Sequence, residues 1–357
     1  MKKIISVGAG DYIGPEVMKQ AIKVLDAVSQ KFGYSFEYRN VFVGGASIDE
    51  FDVPLHDSQM QIILESDALL FGSIGGPKWN NVAPEKRPEK GILELRKNLE
   101  TFANIRPVKI FDDLVEASPI KTDIVRGTDL VVVRELTGGI YFGNRGMYKD
   151  RQTNEIVAYD TMRYSESEVR RIAKVAFELA KKRDGAVCSV DKENVLDSSK
   201  LWRKIVNEVS PDYPDVKLEH MYVDNAAMQL IQNPRQFDVI LTSNMFGDIL
   251  SDASSVLGGS LGMLASASMG DGTKPFMYEP SGGSAPDIAG KDIANPIAQI
   301  LSAAMMLEIS FDMKDEARAI ENAVDKVIKK YRTKDIWTDG KELVGCEKMG
   351  DLIAEEI

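Results

Sequence analysis

Histidine and cysteine are almost absent from this 357-residue chain, which carries two of each. Cys188 and Cys346 make neither a disulfide framework nor a CxxC pair, which suits a reducing compartment. Cys188 lies in the apolar run Ala186-Val187-Cys188-Ser189-Val190 and reads as a buried structural thiol. Both histidines, His56 and His220, precede Ser260 of the GxSxG match Gly258-Gly259-Ser260-Leu261-Gly262. A hydrolase triad on that elbow needs a histidine after the serine, so chain order excludes it. The same scarcity excludes zinc sites built on histidine and cysteine. A catalytic metal must then be held by carboxylates, which points to magnesium or manganese.

Basic surface is lacking too. A net charge of −11 argues against a nucleic-acid partner, which would need a basic face. A small anionic substrate is still allowed, because a few arginines converging in a cleft can bind an acid. No run reaches the ~18 apolar residues of a membrane span. The best candidate, Ile297 to Ile309, is interrupted by Gln299, Ser302 and Glu308 and reads as a core helix. Lys2 and Lys3 resemble the start of a signal peptide, but the apolar stretch behind them is short and broken by Asp11. The expectation is a soluble cytoplasmic protein with no membrane partner.

What is present is the alternation of an α/β protein with a mostly parallel sheet. Strands are predicted over Ile4 to Val7, Ala68 to Phe71, Leu130 to Val133, Val187 to Val190, Glu219 to Val223 and Asp238 to Leu241. Pro15 fits the first position of a helix running to Phe32. Ser165 and Glu168 make a capping box before another helix, closed by Lys181, Lys182, Arg183 and Gly185. At about 150 residues per domain the length allows two lobes. No Pro/Ser linker separates them, which fits lobes sharing one sheet. Gly8-Ala9-Gly10-Asp11-Tyr12-Ile13-Gly14 falls short of the Rossmann fingerprint, since position 13 is isoleucine rather than glycine.

Several polar residues directly follow predicted strands: Arg134, Lys192, Asp224 and the Ser243-Asn244 turn. Ligands of open α/β sheets bind beyond such strand ends. Asp248 and Asp252 stand four apart and share one helix face. An acidic pair is ordinarily a solvated face, but Met245, Phe246, Ile249 and Leu250 around it predict a largely buried helix. A buried pair needs a neutralising cation, and Asp224 could add a third carboxylate. Arg96, Arg106 and Arg134, each ordinary alone, together suit a substrate with two carboxylates. Lys192 follows a buried strand and is either a turn lysine or a base. Tyr141 is either a proton donor or a packed ring. The stretch from Gly282 to Gly290 is either a long loop or a close backbone approach to a cofactor.

Taken in order, from Gly10-Asp11-Tyr12-Ile13-Gly14-Pro15-Glu16 to Ala303-Ala304-Met305-Met306-Leu307-Glu308, these segments resemble the β-decarboxylating dehydrogenase family of isocitrate and isopropylmalate enzymes. The resemblance implies a two-lobed isopropylmalate dehydrogenase-like fold, not a Rossmann fold. Residues 1–101 with 259–357 would form a cofactor lobe, and 102–258 a substrate, metal and dimerisation lobe. It implies that Arg96, Arg106 and Arg134 grip the carboxylates of a 2-hydroxy diacid. Asp224, Asp248 and Asp252 would hold Mg²⁺ or Mn²⁺, with Asp224 also facing the substrate. Lys192 would be the base and Tyr141 the proton donor. Lys192 and Asp224 would come from the partner subunit of a homodimer with shared active sites.

NAD would lie along Ile13, Gly75, Gly76, Glu89, Gly262, Gly283, Ser284, Ala285, Asp287, Ile288 and Asn295. Asp287 would accept the ribose hydroxyls and repel a 2′-phosphate, favouring NAD over NADP. Ile92 and Leu93 offer an apolar surface where isocitrate enzymes place polar residues, which suits the isopropyl group of 3-isopropylmalate. Sister activities on D-malate, tartrate or homoisocitrate are the alternative. A non-catalytic binding protein would have lost Lys192, Tyr141 or an aspartate, and none is lost. Tyr12 stands where relatives often carry glycine, and Gly282 where some carry histidine.

Overall fold

The computed structural model describes residues 2–357. Twelve strands concern the site: β1 (Lys2–Gly10), β2 (Ser35–Asn40), β3 (Ala68–Ser73), β4 (Ala103–Lys109), β5 (Asp129–Glu135), β6 (Arg145–Lys149), β7 (Ile156–Asp160), β8 (Ala186–Asp191), β9 (Lys217–Tyr222), β10 (Val239–Thr242), β11 (Ala265–Met269) and β12 (Phe276–Pro280). Ten of them hydrogen-bond in the order β2-β1-β3-β12-β11-β4-β5-β10-β8-β9. β1 is parallel to β2 and β3, β12 to β3, β10 to β5 and β8, and β8 to β9. β11 runs antiparallel to β12. The mostly parallel sheet is as the alternation predicts; the antiparallel pair and the separate β6–β7 hairpin carry no clear sequence signal.

The chain clusters into two units. Of the described residues, unit one comprises 2–101, Arg106–Gly127 and Ser255–Ile357. Its central strand β3 is buried throughout, and because consecutive side chains point oppositely it feeds two cores. Ile5, Val7 and Leu70 pack with the helices Gly14–Phe32, Ile297–Phe311 and Lys314–Ile328 through Met18, Leu25, Ile300 and Ile320. Leu69 and Phe71 face the other way, onto Val43, Ile63 and Leu95. This two-sided burial explains why β3 reads as an unbroken apolar run. Among the described residues no helix is long and apolar enough to cross a membrane.

Unit two comprises Phe102–Ile105 and Thr128–Ser254. β5, β10 and β8 are buried, and the helices Glu166–Ala180 and Asp197–Val209 turn Phe177, Trp202 and Ile205 inward. Ser165 and Glu168 form both hydrogen bonds of the predicted capping box. The units differ from the expected lobe boundaries in two segments, 106–127 and 255–258, which fall in unit one. Leu114 joins its core, Arg332 donates to the Asp113 carbonyl, and Ser118 donates to the Val256 carbonyl.

Candidate active site

In unit one, the Pro88–Asn98 helix carries Arg96 to the end of β12, where its guanidinium donates to Glu279 at 2.8 Å. Both side chains are largely buried. Among the described residues Arg96 Nε is buried with no hydrogen-bond partner, an N–H that a ligand carboxylate would satisfy. A cleft of about 210 Å³ opens there, lined by Phe71, Ile74, Ile92, Arg96, Arg106 and Glu279 among others. Ile92, Arg96 and Arg106 are therefore brought together; Leu93 is half-buried and does not line this cleft.

A second cleft in the same unit, of about 230 Å³, is lined by six of the expected cofactor residues: Ile13, Gly262, Gly283, Ala285, Ile288 and Asn295. Ser284 acts from behind, its hydroxyl donating to the Gly75 carbonyl and its own carbonyl accepting from Ile13 N. Gly76 and Glu89 line a separate pocket with Trp79 and Arg87. Asp287 is exposed on its loop and lines neither.

Tyr12 occupies left-handed backbone space, φ +50°, where glycine sits without strain. Its ring lies over Gly76, where any Cβ would collide with it, and edge-on to Trp79 at 5.9 Å.

Two residues here were not among the expected site residues. Asp335 accepts from Asn295 Nδ2 at 3.0 Å and from the Ser260 hydroxyl, inside the cofactor-side cleft. Asp11 is buried and accepts from the backbone N–H groups of Gly45, Ala46 and Gly75. Burial pushes its carboxyl upward, against those three bonds. An acid inside an otherwise small and apolar turn was the one available hint.

In unit two, Arg134 ends β5, nearly buried, and donates to Asp248. Gly247 makes room for it: a Cβ there would stand 2.7 Å from Arg134 Cγ. Tyr141, on the Gly139–Tyr141 turn, donates its hydroxyl to Asp248 Oδ2 at 2.9 Å. Burial, then the Asp248 carboxylate, holds the Tyr141 phenol above its ordinary range. Lys192, just past β8, donates to Asp224 Oδ1 at 2.6 Å. That bond lowers the Asp224 carboxyl.

One sequence expectation needs correction. The Asn244–Ser255 helix buries Phe246 and Leu250, but Ile249 is 57 % exposed and Asp252 is exposed. The helix is largely buried, as expected, but its acidic face is not: Asp248 is half-buried, and Ile249 and Asp252 face outward, because the apolar residues divide between two sides of the helix. Among the described residues, no three acidic, histidine or cysteine side chains gather as a metal group within one chain.

Arginines, a lysine and carboxylates near strand ends of unit two, and arginines and a small-residue loop lining clefts of unit one, suit a dehydrogenase of the isocitrate/isopropylmalate type. The model of the isocitrate/isopropylmalate dehydrogenase family matches residues 4–353, and the chain belongs to that family. It is similar to the 3-isopropylmalate dehydrogenase of Thermotoga maritima, 57 % identical over 356 residues that cover 99 % of this chain and 98 % of that one. The 3-isopropylmalate dehydrogenase of Clostridium acetobutylicum is 54 % identical over 99 % of both chains. Among solved structures, isocitrate dehydrogenase from Methylococcus capsulatus superposes with a TM-score of 0.87 at 33 % identity, covering 99 % of each chain.

Proposed function

We propose that the protein catalyses the NAD-dependent oxidative decarboxylation of (2R,3S)-3-isopropylmalate to 4-methyl-2-oxopentanoate and CO₂, in leucine biosynthesis, as a cytoplasmic homodimer. The unit-one cleft carries this reading. There the unpartnered Arg96 N–H, the Arg106 guanidinium and the Ile92 side chain stand side by side, a receiver for a carboxylate next to an apolar wall. Arg134 is the third arginine in this reading. Lys192 takes the proton of the substrate hydroxyl, and Tyr141 delivers one to the carbon that loses its carboxylate.

Asp248, half-buried, and Asp252, exposed one helical turn further on, suit a hard cation such as Mg²⁺ or Mn²⁺, with Asp224 of a second copy completing an all-oxygen set. Lys192 would come from that copy too. NAD would occupy unit one along Ile13, Gly75, Gly76, Glu89, Gly262 and the Gly283–Asn295 loop, with Asp287 on the adenosine ribose. When bound, NAD supplies the hydride acceptor and the divalent ion supplies Lewis acidity at the substrate oxygens. A homodimer is supported by the apolar surface of unit two: Met147 on β6 is 74 % exposed, Ile156 on β7 is 65 % exposed, and Ile249 lies beside the aspartates.

The test is NADH formation by the purified protein with 3-isopropylmalate, NAD and Mn²⁺. No NADH from that acid would overturn the reading, and faster turnover of D-malate would reassign the chain to a sister activity.

A further inference from the structure

Asn244 is fully buried, at 0 % exposure, and every hydrogen-bonding atom of its side chain amide is committed. Its Oδ1 accepts from Arg134 Nε at 3.0 Å. Its Nδ2 donates to the carbonyls of Leu136 and Gly138, both at 3.0 Å. Its backbone N–H donates to the Tyr164 hydroxyl at 2.8 Å. The partners leave the amide no freedom to turn over, since an arginine N–H can only donate and a carbonyl can only accept.

One side chain thus touches three parts of the unit-two site. It holds the Arg134 guanidinium at a second point, one helical turn before Asp248, which the same guanidinium also meets. It pins the Leu136–Gly138 segment that leads directly into the Gly139–Tyr141 turn. It is also the first residue of the helix that bears Asp248 and Asp252. We propose that Asn244 is a positioning residue that sets the register of Arg134, Tyr141 and the aspartate helix. Its effect on turnover rests on the roles given above to Arg134 and Tyr141.

Two substitutions separate its functions. Asn244→Asp keeps an acceptor for Arg134 but turns a carboxylate oxygen onto the Leu136 and Gly138 carbonyls. It should lower kcat about tenfold or more through Tyr141, leaving KM for the diacid within about threefold. Asn244→Ala releases both and should lower kcat and raise the diacid KM, each by about tenfold or more. NAD affinity should be unchanged in both variants. Asn244→Ser replaces the alanine variant if that one does not fold.

Proportional losses in both constants for both variants, or no loss, would overturn the proposal. Crystal structures of the same variants give a readout independent of turnover. Displacement of the Arg134 guanidinium and the Gly138–Tyr141 turn is expected, and an unmoved pair overturns the positioning role. If the parent enzyme is inert on the diacid while the displacement is seen, the functional reading fails and the positioning role stands.

Discussion

Asp248 presents its two carboxylate oxygens to two different donors, Oδ1 to the Arg134 guanidinium and Oδ2 to the Tyr141 hydroxyl at 2.9 Å. In the proposed reaction a substrate-gripping arginine and a proton donor are therefore held by the same carboxylate that faces the cation. Asp248→Asn is expected to weaken Mn²⁺ binding about tenfold or more, measured by titration calorimetry. Tyr141→Phe should cut kcat by about a hundredfold while sparing Mn²⁺ affinity. Near-normal turnover of the phenylalanine variant would remove Tyr141 from the proton-donor role.

Lys192 and Asp224 hydrogen-bond within one chain, yet each is proposed to serve the site of a second copy. Lys192→Met should lower turnover by about a hundredfold or more. Mixing Lys192→Met and Asp248→Asn subunits, at a Mn²⁺ concentration where each alone turns over little, should restore part of the activity through hybrid sites. Heterodimers that form, by native mass spectrometry, but stay inactive would count against shared sites.

Stability should depend on pH through Glu135. This carboxyl is fully buried and pushed upward chiefly by burial, opposed first by the Arg171 guanidinium at 3.0 Å. A carboxyl raised on folding binds its proton more tightly folded than unfolded. Its contribution is therefore greatest at acid pH and is lost as pH rises through the folded value. Arg171→Met removes the opposing influence. Because Arg171 is itself 37 % exposed, the loss at neutral pH should be about 2 kcal/mol, below that of a fully buried pair. Urea unfolding should show the deficit shrinking as pH falls and Glu135 takes up its proton. A deficit that widens on acidification contradicts this account.

The two thiols should be inert in the folded protein. Cys188 and Cys346 are buried, and burial pushes both up to about 12. At pH 8 the thiolate fraction of each is on the order of 10⁻⁴. An aromatic disulfide reagent should find no thiol in native protein and two after denaturation. Rapid native labelling of either would show an open route to it.

Asp287 is expected to set the cofactor preference. Asp287→Ser should narrow the advantage of NAD over NADP in kcat/KM by about tenfold, through loss of the carboxylate that repels a 2′-phosphate. An unaltered ratio would move that role elsewhere on the loop.

Much of the fold was legible in the sequence because its signals are local. β3 and β5 are continuous apolar runs, and Ser165 with Glu168 closes a cap within one helical turn. The spacing of Asp248 and Asp252 fixed their shared helix face in the same way. The burial of that face was not legible, since the pattern around it does not say which apolar side meets the core, and Ile249 turned outward. Leu93 fell outside the cleft that takes Ile92, because neighbouring helical positions point about a quarter-turn apart.

The sequence by itself determined an α/β chain with two histidines and two cysteines, a set of arginines and carboxylates after its strands, and a net charge of −11. The tertiary structure decided which of those residues meet. Arg96 and Glu279 are 183 positions apart, and Asn244 stands 110 from Arg134. Such pairings are made by the order of strands in the sheet, which places distant strand ends side by side. Local periodicity cannot encode that neighbourhood; it encodes only which residues face inward.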